Sequence, residues 1–201
     1  MSNSKVNTKV KIFVAIRYIM QYENKKRSNV MNIILIGMPG SGKSTVGSLL
    51  SKLIGYRFLD TDFVIQNMEG KVLQDIIDED GLCAFVTAEE KALCSVLFDN
   101  TVVATGGSAI FSERGMRHLK NTGKVVYLKL DFEELKTRLA DFSTRGVAGA
   151  GEKTLEQIYL ERLPLYEKYA DYIVDCTGAE PAENAIKILD KVKKEIISSR
   201  K

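Results

Sequence analysis

The stretch that decides the fold runs from Asn32 to Thr45 and reads NIILIGMPGSGKST. Its apolar residues Ile33 to Ile36 predict a buried strand. Residues 37–44 then match the pattern G-x-x-x-x-G-K-[ST] at every fixed position, and an apolar-periodic segment follows that predicts a helix to about Ile54. Strand, glycine-rich loop and helix in this order are the context in which the pattern forms a phosphate-binding loop.

The side chains and glycines of this loop suit the phosphates of a nucleotide. Glycine lets backbone N–H groups turn toward an anion, and the helix N-terminus adds its dipole. Lys43 supplies positive charge for the β- and γ-phosphates, and the Ser44 hydroxyl is placed to bind Mg²⁺. We therefore predict binding of a nucleoside triphosphate with Mg²⁺. The residues expected to hold the nucleotide here are Gly37, Gly40, Ser41, Gly42, Lys43, Ser44 and Thr45.

The composition is that of one ordinary domain. The chain has 201 residues, 45% of them hydrophobic, which is enough to bury a full core. A net charge of +3, much of it near the termini, does not favour nucleic-acid binding. Three scattered cysteines without C-x-x-C spacing fit a reducing cytoplasm. No apolar run reaches the roughly 18 residues that a membrane helix needs. We expect a cytoplasmic monomer that binds small molecules.

The nucleotide-binding domain is predicted to cover residues 31–201. Residues 1–30 are interpreted as a disordered or appended extension, because the polar, basic residues 24–29 separate them from the first strand. Residues 10–22 are apolar enough for a short helix, so a helix that binds a membrane surface or a partner remains an alternative there.

Predicted strands alternate with predicted helices beyond the loop. Further strands are expected at residues 56–59, 101–105, 124–130 and 172–176. Alternation of this kind predicts an α/β fold with three layers, α/β/α, around a five-stranded parallel sheet. The glycine-rich residues 143–153 are predicted to form a mobile lid.

Three helical segments carry specific expectations about their ends. One is predicted from Val72 to Asp78, where Asp80-Gly81 would end it, and a longer one from about Cys83 to Leu97. A third is predicted from Leu155 to Ala170, interrupted or kinked at Pro164 because proline lacks the N–H that a helix interior needs.

Polar residues at strand ends should collect near the phosphate loop, because parallel strands end at one edge of the sheet. Asp60 is expected to orient Mg²⁺, and Asp62 to take a proton from a substrate hydroxyl. Gly106 and Gly107 would let N–H groups approach a substrate, and Arg145 is suited to close over a transferring phosphate. For Asp60 and Asp62 the alternative is a solvated turn with a helix cap. For the Gly106-Gly107 segment it is an ordinary turn, and for Arg145 it is an exposed arginine in a surface loop.

The order of these motifs resembles the shikimate kinase family, whose members have the nucleoside monophosphate kinase-like P-loop fold. The resemblance extends from about Asn32 to Ile197. It is carried by GMPGSGKS (37–44), FLDTD (58–62), ATGG (104–107), Arg138 followed by Arg145, and ERLPLY (161–166).

The resemblance implies a reaction of ATP with shikimate, with Mg²⁺, that gives 3-phosphoshikimate and ADP. It implies that Ser44 and Asp60 hold Mg²⁺ and that Asp62 contacts the acceptor hydroxyls and serves as the base. Further implied roles are phosphate binding by Lys43, an acceptor pocket lined by Gly106 and Gly107, carboxylate binding by Arg162, adenine packing by Arg138 and phosphate contact from the lid by Arg145.

Two departures from the family pattern affect the acceptor pocket. Val86 stands where the family has a second carboxylate-binding arginine, and Ser108 stands where a triple glycine would end. Valine cannot replace the bidentate contact of arginine with a carboxylate. Glu89, the family partner of that arginine, would then be either a free carboxylate beside the acceptor or a group that pairs with Lys91 or faces water.

Three functions are therefore compatible with the sequence. The first is a shikimate kinase with an unusual pocket. The second is a related small-molecule kinase with another hydroxylated acceptor, and the third is a non-catalytic nucleotide-binding regulator. The third is disfavoured because Lys43, Ser44, Asp60, Asp62 and Arg145 are all present.

Overall fold

The computed structural model describes residues 31–97, 99–140 and 153–199. Its centre is one sheet of five parallel strands in the order β2-β3-β1-β4-β5. The strands are β1 (Asn32–Ile36), β2 (Arg57–Asp60), β3 (Thr101–Ala104), β4 (Gly123–Lys129) and β5 (Tyr172–Asp175). The predicted five-stranded parallel sheet is confirmed.

Helices connect the strands and cover both faces of the sheet, as predicted. They are α1 (Lys43–Ile54), α2 (Thr61–Glu69), α3 (Leu73–Asp75), α4 (Gly81–Cys94), α5 (Glu113–Thr122), α6 (Phe132–Leu139), α7 (Leu155–Tyr169) and α8 (Pro181–Ser199). None of these helices is long and apolar enough to cross a membrane.

Strand β1 lies at the middle of the sheet, and all five of its residues are buried. This explains its nearly continuous apolar sequence, because a central strand of a parallel sheet has helices on both sides. Leu35 pairs with Ala104 of β3, and Asp60 of β2 pairs with the same Ala104. The three strands therefore end at one level, and the loops that follow them leave the sheet side by side.

The segment before α4 differs from the prediction. The chain forms the short helix α3 and then a π-helical turn, Ile76–Asp80, instead of one helix over 72–78. Gly81, with φ of 85°, ends the π-helical turn but also begins α4, which stops at Cys94. The wider turn places Ile76 in a small apolar cluster of its own, together with Ile65, Phe85, Ala88 and Ala92.

Of the interruption or kink predicted at Pro164, the interruption is absent, because α7 is one continuous helix with that proline in its interior, and the kink stays a prediction. Ile158, Arg162 and Tyr166 of this helix are buried, so both sides of the proline are held by packing. Tertiary packing of this kind outweighs the missing backbone hydrogen bond.

Replacing Leu50 with Ala should lower the free energy of unfolding by about 2–5 kcal/mol, because it leaves a cavity behind α1. Leu50 is fully buried on that helix, which carries Lys43 and Ser44. Chemical denaturation measures the effect. Leu160→Ala is the control, because Leu160 is 59% exposed, and its cost should stay within about 0.5 kcal/mol. Equal losses in both variants would contradict this account of the core.

Candidate active site

The phosphate loop holds Lys43 in a fixed position. Its Nζ donates hydrogen bonds to the carbonyl oxygens of Gly37, at 2.9 Å, and Met38, at 2.7 Å. Burial lowers the pKa of Lys43 to about 8, and the negative charges of Asp62 and Asp60 oppose that effect. The ammonium group is therefore still mostly charged near neutral pH, at the N-terminus of α1, where an anion would bind.

The loop backbone needs glycine at three positions. At Gly37, φ is 150° and a Cβ would lie 2.8 Å from the Leu128 carbonyl oxygen. Gly40 and Gly42 have φ of 78° and 88°, a conformation that side chains disfavour. A Cβ on Gly40 would also lie 2.9 Å from Leu139 of α6. The loop therefore makes the tight turn that the glycines predicted, and the inward direction of its N–H groups stays a prediction.

Ser44 and Asp60 lie together, although 16 positions separate them in the chain. The Ser44 hydroxyl donates a hydrogen bond of 2.6 Å to Asp60 Oδ2, while Asp60 Oδ1 accepts from the backbone N–H of Asp62. Among the described residues there is no cluster of three or more acidic, histidine or cysteine side chains that could hold a metal alone. A pair of oxygen ligands fits Mg²⁺, which usually binds one or two protein groups and completes its shell with phosphates and water.

Asp62 is mostly buried next to these groups. Burial raises the pKa of its carboxyl group, the charge of Asp60 raises it further, and Lys43 lowers it. The backbone of Asp62 is held by Asp60, so its position is set from the end of β2. The side chain is thus well placed to accept a proton from a bound hydroxyl.

Gly106 and Gly107 follow β3 and are crowded on the side where a Cβ would stand. A Cβ on Gly106 would lie 2.6 Å from Glu89 Oε1 and 2.9 Å from Asp62 Oδ1. One on Gly107 would lie 2.6 Å from Pro39 and 3.2 Å from Arg162. A side chain at either position would therefore displace a neighbour, namely the carboxylates of Glu89 and Asp62 at Gly106 and the Pro39 ring at Gly107.

Arg162 reaches this turn from α7. It is buried, its Nη1 donates to the Gly107 carbonyl at 3.2 Å, and its guanidinium lies 5.4 Å from the centre of the Phe111 ring. Tyr166 donates to the same Gly107 carbonyl at 2.6 Å. Tyr166 was not predicted as a site residue. Its spacing of one helical turn from Arg162 is the signal that could have placed the two side chains together.

A cavity of about 360 Å³ brings most of the predicted residues to one place. The predicted residues that line it are Gly40, Gly42, Lys43, Ser44, Thr45, Asp62, Gly106, Gly107 and Arg162. Gly37 and Ser41 contact Lys43 from behind, and Asp60 contacts Ser44. Pro39 and Thr105, which lie within the quoted motifs but were given no role of their own, also line the cavity, as do the apolar residues Leu73 and Phe85.

Arg138 and Arg145 were predicted to act on the nucleotide. Arg138 lies at the loop, with Nη1 3.4 Å from the Gly40 carbonyl oxygen, and it pairs with Glu134. Arg145 and most of the predicted lid lie outside the described residues. Its predicted role stays a prediction.

Glu89 was predicted wrongly in both alternatives. It is only 2% exposed, and Oε1 accepts a hydrogen bond of 2.9 Å from the Ser108 hydroxyl. It is therefore neither free nor in water, and the ion pairs of the described residues include none with Lys91. Burial raises the pKa of Glu89 to about 7, and the bond from Ser108 lowers it. Ser108 itself lines the cavity, as expected.

The comparisons with known proteins decide the family. The family model for shikimate kinase matches residues 39–193. The chain belongs to the shikimate kinase family. Shikimate kinase 2 of Serratia proteamaculans is 34% identical over 170 residues, which cover 82% of this chain and 97% of that protein. The shikimate kinase of Clostridium botulinum is 39% identical over 167 residues, with coverage of 81% and 96%.

Solved structures of shikimate kinases agree with this fold. The enzyme from Acinetobacter baumannii, solved in complex with shikimate, matches with a TM-score of 0.77 at 30% identity and covers 88% of this chain and 98% of its own. The enzyme from Aquifex aeolicus matches with a TM-score of 0.70 at 30% identity, with coverage of 83% and 99%. A thymidylate kinase from Candida albicans, 14% identical with a TM-score of 0.57, shares the P-loop kinase fold alone.

Gly106→Ala should lower kcat/KM of this shikimate kinase family member by roughly 10²-fold, because the new methyl group must displace Glu89 or Asp62. Steady-state kinetics with a varied acceptor measure the loss. Gly55→Ala is the control. A Cβ at Gly55 meets nothing within 4 Å, so this change should cost some stability through its positive φ and leave the kinetics alone. Wild-type kinetics for Gly106→Ala would show that the turn is not part of the site.

Proposed function

We propose that the chain transfers the γ-phosphoryl group of ATP to a hydroxyl of shikimate, which gives 3-phosphoshikimate and ADP. One observation carries the proposal. A single cavity joins Lys43 and Ser44, the phosphate-binding side, to Asp62 and Arg162 on the acceptor side. Membership of the shikimate kinase family supports ATP and Mg²⁺ as the cofactors. The relative solved with shikimate bound supports shikimate as the acceptor.

On the donor side, the phosphate loop holds the triphosphate with its inward N–H groups. Lys43 exchanges its bonds to the Gly37 and Met38 carbonyls for bonds to phosphate oxygens. Its charge then stabilises the oxygens of the transferred group, which is the largest contribution that a kinase site makes to such a reaction. Ser44 and Asp60 would hold Mg²⁺, which when bound neutralises charge on the phosphates.

On the acceptor side, Asp62 accepts the proton of the hydroxyl that attacks the phosphorus atom. Arg162 binds the acceptor carboxylate, because a guanidinium group matches a carboxylate in shape and charge. Gly106 lets this turn lie close to Asp62, since a Cβ there would lie 2.9 Å from Asp62 Oδ1. Arg138, at the edge of the loop, packs against the adenine ring.

A second candidate is a kinase for another hydroxylated acceptor, and Val86 is the observation that favours it. Val86 is 39% exposed on α4 and does not line the cavity that the described residues form. The acceptor carboxylate therefore has Arg162 but no arginine from α4. A missing charged hydrogen bond costs about 1.5–3 kcal/mol, or roughly 10–150-fold in affinity.

We further propose that the chain works as a monomer in the cytoplasm and binds no nucleic acid. The weak net charge of +3 supports the last point. The cysteines of the described residues, Cys83, Cys94 and Cys176, are free thiols, as suits a reducing compartment.

Lys43→Ala should lower kcat/KM by roughly 10²–10³-fold or more, because the charge on the transferring phosphate loses its fixed partner. The measurement is release of ADP coupled to formation of phosphoshikimate. Lys52→Ala on the same helix is the matched control, since Lys52 is exposed and lies in the last turn of α1. A kcat/KM of Lys43→Ala equal to that of Lys52→Ala would refute the assignment of the donor site.

Val86→Arg should lower the KM for shikimate by about 10–100-fold, because a second arginine restores a bidentate contact with the carboxylate. Leu82→Arg, one turn earlier on α4 and 43% exposed, adds the same charge at another position that does not line the cavity, as a control. Both variants are assayed against shikimate, quinate, amino alcohols and sugar acids. No gain for Val86→Arg, together with faster turnover of another acceptor by the wild type, would favour the second candidate.

A further inference from the structure

The buried pair of Ser108 and Glu89 has no place in the phosphoryl transfer described above. Ser108 is 6% exposed and lies in the cavity wall after the Gly106-Gly107 turn. Glu89 lies behind it, on α4, and accepts the hydrogen bond of its hydroxyl at 2.9 Å. The pair thus connects the acceptor side of the cavity to a carboxylate that does not itself line the cavity.

Glu89 is held in this position by several constraints. The absence of a Cβ on Gly106 leaves the space that Oε1 occupies. Glu89 lies in a buried part of α4, together with Phe85 and Ala88. A carboxylate buried in this way needs a hydrogen-bond donor, and Val86, one turn earlier on the helix, cannot supply one. The Ser108 hydroxyl supplies it.

This bond determines which way the Ser108 hydroxyl points. An ionised carboxylate can only accept hydrogen bonds, and a serine hydroxyl has one hydrogen and two lone pairs. While the Glu89 carboxyl group is ionised, the single hydrogen is therefore committed to it. The oxygen of Ser108 keeps its lone pairs for a ligand, so it can accept a hydrogen bond from a molecule in the cavity but has no hydrogen left to donate.

We propose that Ser108 is a specificity-determining residue of the acceptor site, that Glu89 is its positioning residue, and that the Ser108 oxygen accepts a hydrogen bond from an acceptor hydroxyl other than the one that is phosphorylated. The inference rests on the proposed function and extends it. It defines the acceptor as a molecule with at least two hydroxyls, one of them beside Ser108. It also predicts that a carboxylate or ketone oxygen is rejected at that position, because two lone pairs would face each other.

Removal of the Ser108 side chain tests the proposal. Ser108→Ala should raise the KM for shikimate by roughly tenfold, with a smaller effect on kcat, because one hydrogen bond to the acceptor is lost. Ser108→Gly should behave in the same way. Thr87→Ala is the control on α4, because the Thr87 hydroxyl donates to the Cys83 carbonyl and does not line the cavity.

Shikimate analogues that each lack one hydroxyl identify the partner of Ser108. Calorimetry measures their binding to the wild type and to Ser108→Ala without turnover. One analogue should bind both proteins with equal affinity, because the contact is already lost, while the others lose roughly tenfold in the variant. An equal loss for every analogue, or no loss for any, would overturn the proposal.

Glu89→Gln keeps the volume of the side chain but changes the hydrogen bonding. Its amide can donate to Ser108, which lets the Ser108 hydrogen turn toward the cavity, so the KM should rise as it does in Ser108→Ala. The other charged groups that act on Glu89 are Asp62, Arg162 and Lys43. All three remain in this variant, so the difference between the two proteins reports on Glu89.

The pH profile separates positioning from simple packing. With the pKa of Glu89 raised to about 7, its carboxyl group is neutral below that pH and no longer needs the Ser108 hydrogen. The wild-type KM should therefore rise as the pH falls through about 7, and this part of the rise should be missing in Glu89→Gln. If Glu89→Gln keeps both the wild-type KM and the wild-type pH profile, the proposed positioning role of Glu89 is overturned.

Failure of this inference can be told apart from failure of the proposed function. A wild type that phosphorylates shikimate, together with a Ser108→Ala variant that has the same KM, overturns the inference alone. A wild type that neither binds nor phosphorylates shikimate overturns the proposed function and this inference with it.

Discussion

The site depends on the parallel register of three strands. Ala104 of β3 is level with Leu35 on one side and Asp60 on the other, so the phosphate loop, the Asp60–Asp62 segment and the Gly106-Gly107 turn leave the sheet together. Two threonines then connect these segments. Thr105 donates to the Leu35 carbonyl at 3.1 Å, and Thr61 accepts from the N–H of Gly106 at 3.2 Å. Donor and acceptor halves of the site therefore share one base, and their spacing is set by the strand ladder and by these two bonds between threonine hydroxyls and the backbone.

Charge at this site is balanced by neighbours of both signs. Lys43, Arg162 and the carboxylate of Asp62 line one cavity, and the carboxylate of Glu89 lies just behind its wall. Burial alone would favour the neutral form of each group. Mutual attraction offsets part of that effect, which is why Lys43 keeps most of its charge near neutral pH while Glu89 lies near its midpoint. Removal of one charge should alter the protonation of the others, so single substitutions in this pocket are not independent.

The fold and the donor half of the site could be predicted from the sequence because local patterns encode them. Apolar strands, a glycine loop and strand-end aspartates are visible without any knowledge of tertiary contacts. Glu89 could not be predicted in the same way. Its burial and its bond to Ser108 join α4 to the turn after β3, 19 positions apart in the chain, and no local pattern reports such a contact. Tyr166 and the π-helical turn at 76–80 were missed for a related reason, since packing selects them.

Arg162, which we propose as the group that binds the acceptor carboxylate, is already ordered by its surroundings. The Gly107 carbonyl, the Phe111 ring and the buried surroundings already restrict its guanidinium. A free arginine side chain has about 2 kcal/mol of rotamer entropy, and an exposed one loses much of it when it clamps a ligand. Here the Arg162 side chain loses most of this rotamer entropy when the chain folds, and not when the acceptor binds. One arginine held in this way can thus recognise an anion with a smaller entropic penalty than a pair of mobile ones.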